Sequence, residues 1–597
     1  MFFFLDHRCA SDAPAVQVQV LTAPNLTAVT PAPQVLYISP GVQRLETLDL
    51  PGGRRLLLLG DPVFGDRARA SGRVTDWQGE LNLTALFSEV RGHYYWFLLQ
   101  KDSFRCGSSF GAIFPIYHQT RDGHTRVSSA SFFLATQADP GRLDRRNLLE
   151  RLLFNYPLFG TTWWSGISLL GTHRRLTLSA EGAKEERAFG LENYFGHGFH
   201  SNREALDQLT EVFEDECRLF LPDEPFAISF TGGFDGRTLV AAARKTGRVD
   251  FSTYSFGMPG ESDVTFPAAQ AEQLGIRYWP IKLDGNYVQD HALKSALAFV
   301  QLSEYNGNFG RAHYHFAAQA LAQKKNYILT GNFGSELFRA MHQPGVMMTE
   351  ALIRVFESPD ASWKDYLRQA VGRQAAAFFR MEMDALIADL ERFLRARSDM
   401  DRNQQFYCFV LEEIFRKYFG PELVMQSHLL RNRTPYLSLR FFEALNKTIW
   451  SGLHARLFDK QKNRRMKGQV FYSAFLQRTD EQLYRMPTNK GYSPADVLES
   501  WRHPLLLARV ARQKFLRRET GDSNAVETYF RKYQRDLSLR IRANEHQVLM
   551  QSGIAQHIET SAPLSLSLEK TIHLFSVAAG WSAAAKSVKP IAPFQTV

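Results

Sequence analysis

Between Phe226 and Gly331, apolar runs of strand length alternate with helical ones. This alternation narrows the fold more than any other feature of the chain. FAISF, FSTYSFG, RYWPIKL and YILTG read as strands, rich in branched and aromatic residues. GRTLVAAARKTG, DVTFPAAQAEQLG and RAHYHFAAQALAQKK read as helices. Strands separated in this way form a parallel sheet covered on both faces. Ligands of such sheets bind beyond the carboxyl ends of the strands. The loop TGGFDG, from Thr231 to Gly236, leaves the first strand at such an end. Gly232 and Gly233 let the backbone approach a phosphate, and the helix that follows offers free amides to an anion. Asp235 suits a magnesium ion bridging phosphates better than a bare phosphate. The GxxxxGK[ST] spacing of an ordinary P-loop is absent. Taken alone, the loop could equally be a plain strand-to-helix turn.

Residues 1–198 read differently. QVLYIS, RRLLLLG, HYYWFLLQ, AIFPIYHQ and SASFFLAT are short β-type runs separated by Gly, Pro and Asp, as in a sheet-on-sheet domain. The amphipathic helix REALDQLTEVFEDECRLFL opens a second region, 199–540, which is mostly helical from Met348 onward. Residues 541–597 are expected to be a helical or weakly ordered tail. The net charge is +10, but Arg and Lys are scattered, so no nucleic-acid partner is expected. Cys9, Cys106, Cys217 and Cys408 lack metal-ligand spacing and suit a reducing, cytoplasmic setting. No run reaches the roughly 18 apolar residues of a spanning helix.

The loop is similar to the S-G-G-x-D-S pyrophosphate loop of the asparagine synthetase family, and further matches follow in order. YSFGMPGESD resembles the family's second strand and adenosine loop, and ILTGNFGSELFRA its acidic loop. LLRNRTPYLSLRFFEAL is similar to its R-x-P-(F/Y)-L-D segment, and MPTNKGYSP to its late lysine segment. RGHYYWFLLQ, FGAIFPIYH, SSASFFLAT and TTWWSGISLLGTHRRLTL resemble its amidotransferase sheet domain. The resemblance implies an N-terminal nucleophile-type sandwich followed by an α/β pyrophosphatase-loop domain. It implies ATP and Mg2+, a small-molecule or peptide carboxylate, and an amine donor; it leaves room for a homodimer. Thr231, Gly232, Gly233, Asp235 and Gly236 would hold pyrophosphate, with Asp235 on magnesium. Ser255, Phe256, Gly257, Asp263, Gly331 and Asn332 would line the nucleotide. Lys490 and Glu336 would be catalytic.

Four positions depart from the family pattern. Phe2 stands where glutaminases of the family carry Cys, and Cys9 has no free amine, so glutamine hydrolysis is expected to be absent, as in relatives that close β-lactam rings or lasso peptides. Gly236 replaces a serine hydroxyl, Asn332 an acidic residue and Ser335 an aspartate. Two alternatives to a synthetase therefore stand: a nucleotide- or partner-binding module without turnover, and a polyanion-binding surface around KQKNRRMKG, Lys460–Gly468. His313 and His315 are too poorly aligned for a metal pair. Glu412 and Glu413 are expected at the surface, with replacement of a lost base as the alternative.

Overall fold

The computed structural model describes residues 1–10, 14–21, 32–75, 80–137, 143–196, 201–338, 347–357, 360–371, 373–454, 467–516 and 568–587. Two six-stranded sheets form the N-terminal region. One runs in the order Ser168–Leu169, Tyr117–Arg121, His124–Ser128, Phe2–Arg8, Val35–Ser39, Gln17–Val20, and only its last pair is parallel. The other runs Gly182–Arg187, Arg174–Ser179, Phe104–Ser108, Tyr94–Leu99, Arg54–Gly60, Arg44–Leu50, antiparallel throughout. The Phe3 ring meets Tyr95 and Phe97 across the sheets at 5.0 and 4.8 Å, so the two layers share one core. Phe2 faces the other way, onto Phe132 and Phe133. FFFL is thus a central strand buried on both faces, which explains its unbroken apolar character.

SASFFLAT, expected as a strand, is the helix Ser131–Gln137. Its start is held from far along the chain: Glu304 accepts the Ser131 amide at 2.8 Å and the Ser131 hydroxyl at 3.1 Å. A carboxyl oxygen at a helix start satisfies an otherwise orphaned amide.

The second region carries the parallel sheet. Its order is Arg277–Lys282, Ser252–Gly257, Phe226–Ser229, Tyr327–Leu329, Arg431–Arg433. The first four strands are those expected; the fifth lies in the stretch read as helical. Numbered along the chain, the order is 3-2-1-4-5, so strand progression reverses between Phe226–Ser229 and Tyr327–Leu329. That crevice is where doubly wound sheets bind ligands.

The two regions are locked together. Asp61, at the end of a sandwich strand, takes two hydrogen bonds from Arg433 at 2.6 and 3.2 Å, and both side chains are buried. His93 bonds Thr434 at 2.9 Å, and Gln43 donates to the Ser427 and Leu430 carbonyls. Where residues 541–597 were expected to be partly loose, Leu568–Ser587 is a packed helix. Its Trp581 meets Trp163 of the sandwich edge-on, its His573 bonds the Arg151 carbonyl at 2.9 Å, and its Ser576 accepts the Phe309 amide at 2.8 Å. Among the described residues no helix is long and apolar enough to cross a membrane. Lys460–Met466 of the basic run lie outside the described residues.

Candidate active site

The loop after Phe226–Ser229 ends in the helix Asp235–Lys245, whose first turn has no side-chain cap. A helix start without a side-chain cap suits an anionic ligand. Thr231 is exposed, Gly232 is buried and Gly233 is half-buried, its amide 3.4 Å from the Thr231 hydroxyl. The acidic-loop segment descends from the neighbouring strand directly onto this turn. Gly331 approaches so closely that a Cβ there would lie 2.5 Å from the Cβ of Asp235. The Ser335 hydroxyl donates to Asp235 Oδ2 at 3.0 Å. Phe333 holds this loop in shape: its backbone is left-handed at φ 72°, and its buried ring is trapped by Phe415 and Phe419 at 4.8 and 5.1 Å.

Two buried phenols, Tyr436 and Tyr472, close the site from behind. Burial first, then the charge on Asp235, raises both pKa values, so both stay protonated. The Tyr436 hydroxyl donates to the Asp235 carbonyl at 3.3 Å and lies 2.5 Å from the Thr238 hydroxyl. Glu336 is half-buried, close enough to contribute to the Tyr472 shift. Asp235 and Ser335 thus meet at the switch point, with Glu336 beside Ser335 in the acidic loop.

Gly236 has a steric reason to be glycine. A Cβ there would sit 2.1 Å from the Ser229 carbonyl oxygen and 3.3 Å from Phe230 Cα. The helix rides so low on the strand that no side chain fits.

Asn332, in place of the family's acidic residue, donates to Glu422 Oε1 at 3.5 Å. Glu422 is buried, and burial pushes its pKa up against the opposing charge of Arg311, to which it is ion-paired. Arg311 also donates to the Tyr418 carbonyl at 2.8 Å and lies over the Tyr418 ring. A carboxylate thus stands one hydrogen bond behind Asn332, on the helix Gly420–Ser427. Glu412 and Glu413 are used elsewhere: Glu412 is paired to Arg397, and Glu413 to Lys417 and the Phe159 amide. His313 packs on Phe256 at 4.9 Å, and burial lowers its pKa to about 3.

On the nucleotide side, the Ser255 hydroxyl is engaged inside the protein, at 2.5 Å from the Asp263 carbonyl and 2.6 Å from the Tyr278 hydroxyl. Phe256 is half-buried beside Tyr314. Gly257 lies against Glu261, whose carboxylate accepts the Met258 amide at 2.7 Å. Asp263 is exposed in the first turn of Ser262–Gln273.

The late lysine segment does reach the loop. The Asn489 amide donates to the Gly232 carbonyl at 3.0 Å, and it is the Asn489 side chain that covers Gly232. Lys490 follows, half-buried, in a turn closed by Thr488 bonding the Tyr492 carbonyl through both its amide and its hydroxyl, each at 2.8 Å. Asn489, Glu422 and Tyr472 adjoin these loops and are residues that sequence reasoning missed.

Residues 208–537 match the family model for asparagine synthase. Among solved structures, glutamine phosphoribosylpyrophosphate amidotransferase from B. subtilis, complexed with ADP and GMP, aligns at 12% identity over 40% of this chain and 48% of its own, with a TM-score of 0.15. The chain thus matches about half the length of that protein, and a score so low assigns no fold. None of the curated proteins matches the chain. Because the family model covers more than half of the 597 residues, and its span contains every loop that converges on Asp235, the chain belongs to the asparagine synthase family of ATP-dependent amide-forming ligases.

Proposed function

We propose that this protein is an AMP-forming amide synthetase that adenylates a carboxylate and transfers it to an amine or ammonia, without hydrolysing glutamine itself. The supporting observation is the meeting of Asp235 and Ser335, with Glu336 beside Ser335, at the uncapped start of the Asp235–Lys245 helix, in the switch-point crevice. ATP supplies the phosphorus at which a carboxylate oxygen bonds while pyrophosphate leaves; the amine nitrogen then bonds the acyl carbon while AMP leaves with the electron pair.

The residues fit that ligand. The amides of the Thr231–Gly236 loop would receive phosphate oxygens, and Asp235 would hold Mg2+. Among the described residues no three His, Cys, Asp or Glu side chains converge, so Asp235 would share the ion with non-protein ligands, and the ion would offset phosphate charge. Lys490 offsets charge on the departing phosphates. Asn332 orients rather than ionises, and the nearest negative charge behind it is Glu422. Phe2 lies in the buried core against Phe132 and Phe133, a packing role consistent with the reading that glutamine is not hydrolysed.

ATP–pyrophosphate exchange against a panel of carboxylic acids tests this reading, with Asp235→Ala as control. Exchange with one acid, lost in D235A, is the expected result. Loss of the aspartate at Ser335 favours a second reading, a nucleotide-binding module without turnover; tight MgATP binding with no AMP from any acid supports it. Nucleotide binding that is absent, and unchanged by D235A, removes both.

A further inference from the structure

Arg237 is fully buried in the first turn of Asp235–Lys245, yet its hydrogen bonds run to carbonyl groups rather than to a carboxylate. One guanidinium nitrogen donates to the Leu483 carbonyl at 3.0 Å and the Met486 carbonyl at 2.7 Å. The other donates to the Pro487 carbonyl at 2.8 Å and to Gln270 Oε1 at 3.1 Å. Gln270 in turn donates to the same Pro487 carbonyl at 2.7 Å. Burial lowers the arginine's pKa to about 9, which leaves it charged at neutral pH. The charge on Asp480 offsets the burial only in part, so a guanidinium held by carbonyls in such a place carries a desolvation cost. Satisfying the end of the five-residue helix Glu481–Arg485 would not require that cost, because water or a surface lysine can do it.

What the cost secures is the position of one turn. The clamped carbonyls end at Pro487, and two residues on Asn489 is pinned to Gly232 by its amide. The contact is so close that a Cβ on Gly232 would lie 2.3 Å from the Cβ of Asn489. Gly491, at φ 79°, then turns the chain back, leaving Lys490 at the bend. The helix that presents the phosphate-facing amides therefore also grips the segment bearing the lysine, through a side chain on its opposite, buried face.

We infer that Arg237, braced by Gln270, is a positioning residue that sets the Asn489–Lys490 turn over the pyrophosphate loop. Affinity for the leaving pyrophosphate then depends on a guanidinium that never touches it. The inference rests on the phosphate-facing reading of Lys490 given above.

Calorimetry with MgPPi and with AMP, on Arg237→Gln, Gln270→Leu, Lys490→Ala and the R237Q/K490A pair, tests it. R237Q and Q270L are expected to weaken MgPPi binding about tenfold while leaving AMP binding unchanged. The pair is expected to be little worse than K490A, since both act through one turn. Amide exchange at Asn489 is expected to quicken in R237Q and Q270L. Q270L keeps the guanidinium and so covers the case in which R237Q does not fold. If K490A binds MgPPi as the parent does, the phosphate-facing reading falls and the clamp with it. If K490A is weakened but Q270L is not, or if AMP and MgPPi weaken together, only the clamp is overturned.

Discussion

Replacing Gly236 with serine would give the loop its family residue, and the structure says this should harm rather than help. The new Cβ would lie 2.1 Å from the Ser229 carbonyl oxygen, about 1 Å inside ordinary contact. Neither partner is the mobile end of a side chain. Ser229 closes a strand in the middle of the sheet, and Gly236 opens a helix packed against it. Relief therefore requires the helix to lift, which also shifts the amides and Asp235. Overpacking of this kind costs about 1–3 kcal/mol. At roughly 2–4 °C per kcal/mol, the melting temperature should fall by roughly 2–12 °C. MgATP affinity should drop as well, because the cradle moves with the helix. Scanning calorimetry and MgATP titration on Gly236→Ala and Gly236→Ser separate bulk from hydroxyl chemistry, and the two variants should behave alike. A serine variant that melts with the parent and binds MgATP more tightly would refute the steric account and make Gly236 a simple loss of a donor.

Two further perturbations probe the frame around the site. Burial raises the Glu304 pKa to about 8, above the ordinary carboxyl value, so between those values the native state holds a proton that the unfolded chain has released. This group's contribution is therefore whole at acid pH and lost as pH rises toward 8, by up to about 1.4 kcal/mol per pH unit. Glu304→Gln should gain on the parent in urea midpoint from pH 5 to 8; a constant difference across that range would contradict it. Asp61→Asn leaves Arg433 buried without its counter-charge and should cost about 3–5 kcal/mol in urea denaturation; a loss below about 1 kcal/mol would show that the pair is not what joins the two regions.

The strand–helix alternation gave away four of the five parallel strands, because each carries its own branched and aromatic signature. Arg431–Arg433 escaped because three residues reading RNR have no such signature; the sheet edge recruits them. SASFFLAT has strand-like composition, but the cap that makes it a helix belongs to Glu304, far downstream. The same distance in sequence hid part of the site. Asp235, the glycines and the acidic loop were legible because each sits at the end of its own strand. Arg237 finds its carbonyls beyond residue 480, Asn489 finds Gly232, and Glu422 finds Asn332, pairings that no local pattern carries. Ser255 is the converse case: its segment was legible, but its hydroxyl turned out to bond Tyr278 and the Asp263 carbonyl.

The Leu568–Ser587 helix sets a timetable for biosynthesis. A side chain on its Gly580 would strike Trp163 at 2.8 Å, and Trp581 completes the packing around a tryptophan made some four hundred residues earlier. The ribosome releases the sandwich long before the segment that covers this edge, so the nascent chain must carry the uncovered Trp163 surface until residues 568–587 emerge. Docking of this helix onto the sandwich is then a late step of folding. A stop codon ahead of residue 568 would therefore act on the first domain to be made, and not only on the last.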